Sequence, residues 1–291
     1  MSETNSSDCG CTGDSKRAEK DPAYARALWI VVILNLGFGV CEMLGGFIAN
    51  SQALKADALD FIGDGSITLI GLLALGVIVW ATCIERFWFA VRRESLTILP
   101  NGSKEITILH ISDIHMAPWQ RRKQNWIKSL AKLNPDLVVN TGDNLGARNA
   151  IPATLDSLNG LTSLPGVFVN GSNDMFVPTV RNPFKYFSKP SKAHDVTHER
   201  LNTEELINGF TLSGWLDLNN KSNSITINGN KLSFIGTDDA HEGIADISKV
   251  ELVDKTADLV IGVTHAPYLK VLDDLSEKGA AIIFAGHTHG G

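Results

Sequence analysis

Two long apolar runs near the N-terminus contrast with the shorter alternating pattern that follows them. Residues 27–48 are almost wholly apolar apart from Glu42, and residues 65–84 contain no charged side chain. A helix rises about 1.5 Å per residue, so a helix of either length crosses the roughly 30 Å hydrocarbon core of a bilayer. The pattern predicts a transmembrane helical hairpin over residues 24–90, after a polar tail over residues 1–23 that we expect to be disordered.

The basic residues near these runs lie on the outer flanks rather than in the connecting loop. Lys55 is the only basic residue between the two runs. The positive-inside rule therefore places both ends of the hairpin, and the domain that follows it, in the cytoplasm. The flanking basic residues are Lys16, Arg17, Lys20, Arg26, Arg86, Arg92 and Arg93.

From Glu105 onward, short apolar runs alternate with amphipathic segments, as in a domain of parallel strands covered by helices. Residues 91–104 are predicted to form a linker or an entering strand. The polar stretch 176–200 is predicted to form a loop that covers the functional site, with His194 and His198 on its surface. Asn228-Gly229-Asn230 predicts a hairpin turn. The predicted strands are residues 106–111, 137–140, 167–170, 224–227, 231–235, 258–263 and 281–285, and the predicted helices are 121–133, 153–161, 203–210 and 268–278.

Composition excludes some classes of function. The chain has 291 residues, enough for about two domains, and its formal net charge is −6. The sequence shows no basic surface of the kind that binds nucleic acids. Four cysteines are too few and too scattered for a disulfide scaffold, which fits a reducing compartment.

Metal-binding side chains follow the predicted strands at six places. Ligands gather beyond the carboxyl ends of strands in α/β sheets, so these side chains are expected to meet. One such place would mean little, because an isolated histidine is commonly a surface group and Asp after Thr-Gly is commonly a turn residue. Six of them, mixing carboxylates with imidazoles, predict a two-metal centre that acts on a phosphate ester. The segments are 112–115, 141–144, 171–174, 264–267, 286–289 and, less regularly, 238–241.

The donor types limit the metals. Mixed oxygen and nitrogen ligands favour Mn, Fe, Zn or Co over Mg or Ca. Asp143 is well placed to bridge two ions. Asp113 and His115 are separated by one residue, so they reach the same ion only if the strand end bends, and His287 and His289 have the same requirement.

In chain order, these motifs resemble those of the calcineurin-like metallophosphoesterase superfamily over about residues 85–291, most closely its membrane-associated branch. The matching residues are Asp113-x-His115, Gly142-Asp143-Asn144, Gly171-Ser172-Asn173-Asp174, His265 and Gly286-His287-x-His289-Gly290. The resemblance implies a four-layer sandwich of two sheets between helices, and hydrolysis by a metal-bound hydroxide. It implies that one ion is held by Asp113, His115 and His289, a second by Asn173, His265 and His287, with Asp143 bridging them.

The third motif departs from the family pattern, which is Gly-Asn-His-Asp or Gly-Asn-His-Glu with Asn as ligand and His near the leaving group. An ungapped alignment puts Ser172 at the ligand position and Asn173 at the histidine position. A shift of one residue keeps Asn173 as the ligand and puts Asp174 at the histidine position. We favour Asn173 as ligand, because Ser is a poor neutral donor. Either way the usual histidine acid is missing, which predicts a preference for good leaving groups or an acid from elsewhere, such as His241.

Two further acidic segments allow more than one interpretation. Asp238 and Asp239 either line the pocket with His241 or form a plain turn. Asp57, Asp60 and Asp64 are spaced to line one face of a helix, where they are either solvated acids at the helix start or functional carboxylates.

The hairpin, with Glu42, Gly46 and the acidic face, resembles the first two membrane helices of cation diffusion facilitators over about residues 20–80. The resemblance implies that Asp60 and Asp64 contribute to a transport metal site. The remaining ligands would come from a later helix that this chain does not show. A complete site therefore needs a partner chain, or the hairpin is only an anchor.

The sequence thus predicts a membrane-anchored, dinuclear-metal phosphoesterase with a cytoplasmic catalytic domain over residues 105–291. A site close to the membrane suits a lipid-linked or nucleotide-linked phosphodiester. One alternative is a divalent-cation transporter of the zinc type, or a fragment of one. Another is a metal-binding membrane protein without activity. The end of the chain directly after Gly286-His287-Thr288-His289 and two glycines predicts that the domain is incomplete at its C-terminus.

Overall fold

The structure is a computed structural model and describes residues 22–178, 199–248, 250–251, 254 and 256–289. The chain divides into two compact units, the first ending at Ala90 and the second beginning at Val91. His194 and His198, and nearly all of the polar N-terminal tail, lie outside the described residues.

Two apolar helices form the first unit. Helix α1 runs over Pro22–Ile48 and α2 over Gln52–Cys83, followed by a short 3-10 turn at Glu85–Phe87. Both helices are long and apolar enough to cross a membrane, judged by length and composition. Helix α2 begins well before the apolar run at residue 65, because the Ser51 side chain caps it by accepting a hydrogen bond from the N–H of Leu54.

Small residues let the two helices pack closely along their length. A Cβ added to Gly39 would lie 2.7 Å from Cγ1 of Ile62, and one added to Gly46 would lie 2.9 Å from Cγ of Lys55. Gly46 is nearer the end of α1 and Lys55 nearer the start of α2, so the helices run antiparallel. The predicted helical hairpin is therefore present. Such small-residue contacts are typical of helices that pack within a membrane.

Two four-stranded sheets form the centre of the second unit. The first has the order β1-β2-β3-β4 with all strands parallel, and the second has the order β5-β6-β7-β8 with only β5 antiparallel. The strands are β1 Ile108–Ile111, β2 Leu137–Asn140, β3 Gly166–Phe168, β4 Leu216–Asp217, β5 Ser222–Ile227, β6 Asn230–Gly236, β7 Leu259–Thr264 and β8 Ile282–Ala285. The helices are α3 Arg121–Leu130, which continues as a 3-10 turn at Ala131–Leu133, α4 Ile151–Thr162, α5 Ser172–Met175, α6 Thr203–Leu212 and α7 Leu269–Glu277.

The sheets are packed face to face and covered by helices on their outer sides. In β2, Leu137 and Val139 join a buried cluster with residues of the second sheet, whereas Val138 joins a cluster with helices α3, α4 and α6. This alternation follows from the period of two along a strand. On the far side of the second sheet, Val271 and Leu275 of α7 pack against Ile235 of β6. The four-layer sandwich that the resemblance implies is thus confirmed.

The predicted hairpin turn is also present. Ile227 pairs with Asn230 across β5 and β6, which leaves Asn228 and Gly229 as a two-residue connection. Both have positive φ, 52° and 89°. Asn-Gly at these positions is the preferred sequence for the type I′ turn that joins antiparallel strands.

Local differences from the sequence prediction have simple causes. The first strand starts at Ile108 rather than residue 106, and residues 91–104 contain no strand or helix. Strand β4 at Leu216–Asp217 and helix α5 at Ser172–Met175 were not predicted. Elements of two and four residues are too short to show a hydrophobic period, and β4 exists only because it pairs with β3.

Candidate metal centre

The loops after β1 and β2 are joined by backbone hydrogen bonds that hold two of the metal-binding motifs in register. The N–H of Asp113 donates to the carbonyl oxygen of Gly142 at 2.9 Å, and the N–H of His115 donates to that of Asp143 at 2.9 Å. Because the two strands are parallel, their carboxyl ends open at the same edge. The Asp113, His115 and Asp143 side chains are therefore brought together by the ladder itself.

The chain bends at the motif residues through backbone conformations that most side chains avoid. Among the described residues, nine non-glycine residues have positive φ, and the four outside the motifs are all asparagines, the type that best tolerates this region. Strained conformations of this kind cluster at functional sites. The other five are Asp113 (52°), His115 (42°), Asp143 (54°), His287 (68°) and His289 (54°). The chain therefore bends at both motifs, at Asp113 with His115 and at His287 with His289.

One cluster of ligand atoms consists of Asp113, His115 and His289, whose donor atoms lie within 4.8 Å of one another. The Nε2 atoms of His115 and His289 are 3.4 Å apart, and His289 Nε2 is 3.5 Å from Asp113 Oδ1. Two donors that each lie about 2.1 Å from a common ion are roughly 3.0–3.4 Å apart. The spacing of these donors fits a divalent ion with mixed imidazole and carboxylate ligands.

A second cluster consists of Asp113, Asp143 and His265, so Asp113 belongs to both clusters, and Asp143 lies close to His115 of the first. Its Oδ2 atom is 3.5 Å from His265 Nε2 on one side and 3.8 Å from His115 Nε2 on the other. The Asp143 side chain is only 5% exposed. This carboxylate therefore has the position of a bridge.

One ring nitrogen of His265, Nδ1, is hydrogen-bonded to the backbone, and the other, Nε2, has no hydrogen-bond partner among the described residues. Its Nδ1 donates to the carbonyl oxygen of Thr141 at 2.7 Å. Its Nε2 is buried without a hydrogen-bond partner among the described residues and lies 3.5 Å from Asp143 Oδ2. In the neutral imidazole the Nε2 lone pair faces a carboxylate oxygen, and either a proton or a metal ion between them satisfies both groups. The two residues therefore fit a metal ion.

The pKa values of His265 and Asp143 also fit a metal ion between the two side chains. Burial opposes ionisation of both groups, but their mutual attraction outweighs it. The pKa of His265 is raised to about 9, with smaller contributions from Asp239 and the Thr141 carbonyl. The pKa of Asp143 is lowered, helped by hydrogen bonds from Asn173. A divalent ion competes with the proton for His265 Nε2, because only the neutral imidazole is a ligand.

His287 and His115 are kept neutral by their surroundings. Burial lowers the pKa of His287, and the charges of His265 and His241 lower it further. Burial is also the main cause of the lowered pKa of His115. The N–H of His287 donates to Asp113 Oδ2 at 3.0 Å, and its ring lies 5.3 Å from that of His265. The His115 imidazole thus lies beside the Asp143 carboxylate in the neutral form that binds metals, whereas His287 contacts Asp113 through its backbone N–H.

In the third motif, the side chain at the centre is Asn173. Its backbone N–H donates to Asp143 Oδ1 at 2.8 Å, and its side-chain Nδ2 donates to Asp143 Oδ2 at 2.6 Å. A half-turn of the amide would put its oxygen at the same point, so the residue suits either a carboxylate or a cation. No side-chain hydrogen bond joins Ser172 to this centre in the described part of the chain.

Asp174 points into the interior of the domain, where backbone and amide donors surround its carboxylate. Its carboxylate is fully buried and accepts hydrogen bonds from the N–H of Asn144 (2.7 Å), the side chain of Asn144 (3.1 Å) and the N–H of Gly171 (3.1 Å). Burial and the charge of Asp143 raise its pKa to about 7, against the effect of these donors. Asp174 therefore ties the second motif to the third.

The segment 238–241 also reaches the centre, through His241. The His241 ring lies 5.1 Å from the His287 ring, and His241 Nδ1 is 2.9 Å from the hydroxyl of Tyr268. Asp239 is fully buried and accepts a hydrogen bond from the N–H of His241 at 2.7 Å. Burial raises the pKa of Asp239 to about 6. Tyr268 was missed from the sequence, although it comes just three residues after His265 in the same turn.

The acidic residues of the hairpin lie in the other unit. Asp57, Asp60 and Asp64 are exposed on α2, while Ala58 and Gly65 are buried. Within the described residues, the groups of side chains with metal-ligand spacing all belong to the second unit.

Comparison with known proteins gives two separate matches. The model of the calcineurin-like phosphoesterase family matches residues 106–291, well over half of the chain. The probable proton-coupled zinc antiporter SLC30A4 of Homo sapiens and of Bos taurus is 36% identical over 88 residues, 28% of this chain and 20% of the relative. The Mus musculus protein of that name is 40% identical over 67 residues, 22% of this chain and 16% of the relative. The chain thus spans a fifth or less of these relatives, and the short matches support the resemblance of the hairpin to cation diffusion facilitators.

The role of Asp174 predicts a large effect on stability. We expect Asp174→Ala to lower the free energy of unfolding by about 3 kcal/mol, because three buried N–H donors lose their acceptor. The pKa of Asp174 is raised on folding from its usual 3.8 to about 7. Its contribution is therefore greatest when it is protonated and falls as pH rises through its folded pKa. The loss measured by chemical denaturation should be larger at pH 5 than at pH 8.

Asp156→Ala is the matched control, because the Asp156 side chain is 63% exposed and makes only a surface ion pair with Lys128. We expect it to cost no more than about 1 kcal/mol. Equal effects of the two substitutions would contradict the role assigned to Asp174.

Proposed function

This chain belongs to the calcineurin-like phosphoesterase family, and we propose that it hydrolyses a phosphate ester or diester at a two-metal centre. The observation that carries the proposal is the Asp143 carboxylate, which lies between His115 of one cluster of ligand atoms and His265 of the other. The catalytic unit in this proposal extends over residues 105–291.

In the proposed centre, Asp143 would be shared by two ions, and each ion would have its own set of side chains. Asp113, His115 and His289 hold the first ion, and their donor spacing supports this assignment. Asn173, His265 and His287 hold the second, supported by the short contact of Asn173 with Asp143 and by the unpartnered Nε2 of His265. Mn, Fe, Zn and Co suit such mixed donors.

When bound, two such ions withdraw charge from the phosphoryl group and acidify a bound water, which provides the nucleophile. The protein positions the ligands for this chemistry. The Thr141 carbonyl selects the tautomer of His265 with Nε2 facing Asp143. The backbone of His287 anchors the Asp113 carboxylate. The low pKa of Asp143 keeps it ionised at any pH at which the enzyme would work.

The group that serves the leaving oxygen is the open question in this family member, because the third motif has no histidine. The Asn173 side chain is hydrogen-bonded to Asp143, and the Asp174 carboxylate is buried and accepts a hydrogen bond from the N–H of Asn144, so neither serves the leaving oxygen in our proposal. His241, which lies beside His287 and is partly exposed, is our candidate for this role. With Asp143 and Asn173 it completes the proposed catalytic set.

The hairpin anchors this enzyme in a membrane in our proposal. Its two helices have the length and composition of spans, and the basic residues on their outer flanks favour a catalytic unit on the cytoplasmic side. A membrane-anchored site suits a lipid-linked or nucleotide-linked phosphodiester as substrate.

We expect Asp143→Asn to reduce the Mn-dependent hydrolysis of bis-p-nitrophenyl phosphate by at least about 100-fold, because even groups outside the ligand set change metal-site activity by 10- to 100-fold. Asp156→Asn, an exposed carboxylate, is the control and should retain full activity. A chelator should abolish turnover, and adding back a divalent ion should restore it. Turnover that is unchanged in Asp143→Asn or after chelation would not come from this centre and would reject the proposed function. The absence of any turnover would leave the metal-binding protein without activity.

The ligand of the third motif can be identified by paired substitutions. Asn173→Ala should lose at least part of the bound metal and about 10- to 100-fold in rate, because Asn173 contacts the bridging carboxylate. Ser172→Ala should keep both. The measurements are metal content by elemental analysis and initial rates. The reverse pattern would assign Ser172 as the ligand.

A second candidate function is the transport of a divalent cation by the hairpin with partner helices. The similarity to proteins named as probable zinc antiporters favours it, as does the exposed acidic face of α2. If it holds, zinc uptake into vesicles that contain the protein should disappear in Asp60→Ala and Asp64→Ala. Ser66→Ala, nearby on the same helix, should not change it. No uptake above that of empty vesicles would leave the hairpin as an anchor.

A further inference from the structure

We propose that Tyr268 is a positioning residue that fixes the tautomer and orientation of His241, so that this imidazole donates a hydrogen bond to the leaving-group oxygen. The inference rests on the proposed phosphoesterase function and adds a residue to it. Two observations support the inference: the contact between the Tyr268 hydroxyl and His241 Nδ1, and the position of these two residues beside His287.

The topology puts the pair at the mouth of the centre. Strands β6, β7 and β8 are neighbours and parallel, so their carboxyl ends open at one edge of the second sheet. His241, Tyr268 and His287 each follow one of these strands. His241 contacts both of the other residues. Its ring centre lies 5.1 Å from that of His287, and its Nδ1 atom lies 2.9 Å from the Tyr268 hydroxyl oxygen.

Both members of the pair are held by their backbones. The N–H of His241 donates to the buried carboxylate of Asp239 at 2.7 Å. The N–H of Tyr268 donates to the carbonyl oxygen of Ala266 at 2.9 Å, at the start of α7. The two rings are nearly parallel, with an angle of 5° between their planes and 6.4 Å between their centres. The hydrogen bond therefore joins two side chains whose main-chain positions are already fixed.

In the proposed arrangement, the direction of this hydrogen bond determines which imidazole nitrogen carries the proton. The phenol is the donor when Nδ1 of neutral His241 is the acceptor, and the imidazole hydrogen is then on Nε2. No side chain in the described part of the chain bonds that Nε2. Tyr268 thus leaves an N–H donor free on the side chain that lies next to His287.

A donor at this place supplies what the third motif lacks. During hydrolysis the incoming oxygen of water forms a bond to phosphorus, and the bond from phosphorus to the leaving oxygen breaks with its electron pair going to that oxygen. The N–H of His241 stabilises the charge that develops there by a hydrogen bond. The protons of the consumed water are shared between the phosphate product, the solvent and the alcohol, so His241 and Tyr268 end the step unchanged.

The test is a series of aryl methyl phosphates with leaving groups from p-nitrophenol to p-methylphenol, measured with the full-length Mn-loaded protein. A hydrogen bond to the leaving oxygen matters most when that oxygen develops most charge. We expect Tyr268→Phe to lower kcat about 10-fold for p-methylphenol and to leave p-nitrophenol nearly unchanged, with KM constant for both. His241→Ala should show the same trend with a loss of about 100-fold. Leu269→Ala, a neighbour that is 73% exposed, is the control and should match the wild type on every substrate.

A second measurement does not depend on turnover. In protein labelled with ¹⁵N at histidine, without added metal, the His241 ring should show the Nε2–H tautomer, and Tyr268→Phe should convert it to a mixture. A uniform loss over all leaving groups, no loss, or an unchanged tautomer would overturn the role of Tyr268. In those cases p-nitrophenol release by the wild type would still support the phosphoesterase. Absence of any Asp143-dependent turnover would instead overturn the phosphoesterase, and the inference with it.

Discussion

The Asp143 carboxylate sits where two tight turns approach each other, and the arrangement of the centre follows from that approach. Asn173 binds both of its oxygens, one through the backbone and one through the side chain. The approach requires glycine on both sides. A Cβ on Gly171 would lie 2.2 Å from Asp143 Oδ1, and a Cβ on Gly142, where φ is 91°, would lie 2.3 Å from the nitrogen of Gly171. Any larger residue at either position would push the turns apart and move the carboxylate from between its imidazole neighbours.

The rest of the domain maintains this arrangement at an energetic cost. Five motif residues adopt left-handed backbone conformations, and each costs on the order of 1 kcal/mol or more. Imidazoles and carboxylates are also brought into a site where burial disfavours their charged forms. The sheets that carry them are packed on both faces, one against the other and each against helices. That packing lets the strand ends hold strained turns that an isolated loop would relax.

The third motif changes the division of work around the centre. Its histidine position is lost, yet its remaining side chains are fully used: Asn173 binds the bridging carboxylate, and Asp174 joins the motif to Asn144. The leaving-group side is then open to residues of the other sheet. His241 and Tyr268 lie there, on loops after neighbouring strands. The two sheets would thus divide the chemistry, with the bridge on one and the leaving-group donor on the other.

Much of this protein was determined by the sequence alone. The apolar runs defined the hairpin, and the alternation of strands and helices indicated parallel strands covered by helices. The motif resemblance implied the sandwich, and the order of Asp113, Asp143, His265 and His287 predicted which loops meet. Local chemistry was enough for these, because periodicity and turn residues act over a few positions. The tertiary structure alone decided that Asn173 rather than Ser172 meets Asp143, that Asp174 turns inward, and that Tyr268 meets His241. Those outcomes depend on the direction of each side chain after a bend and on contacts between residues far apart in the chain, neither of which a linear pattern contains.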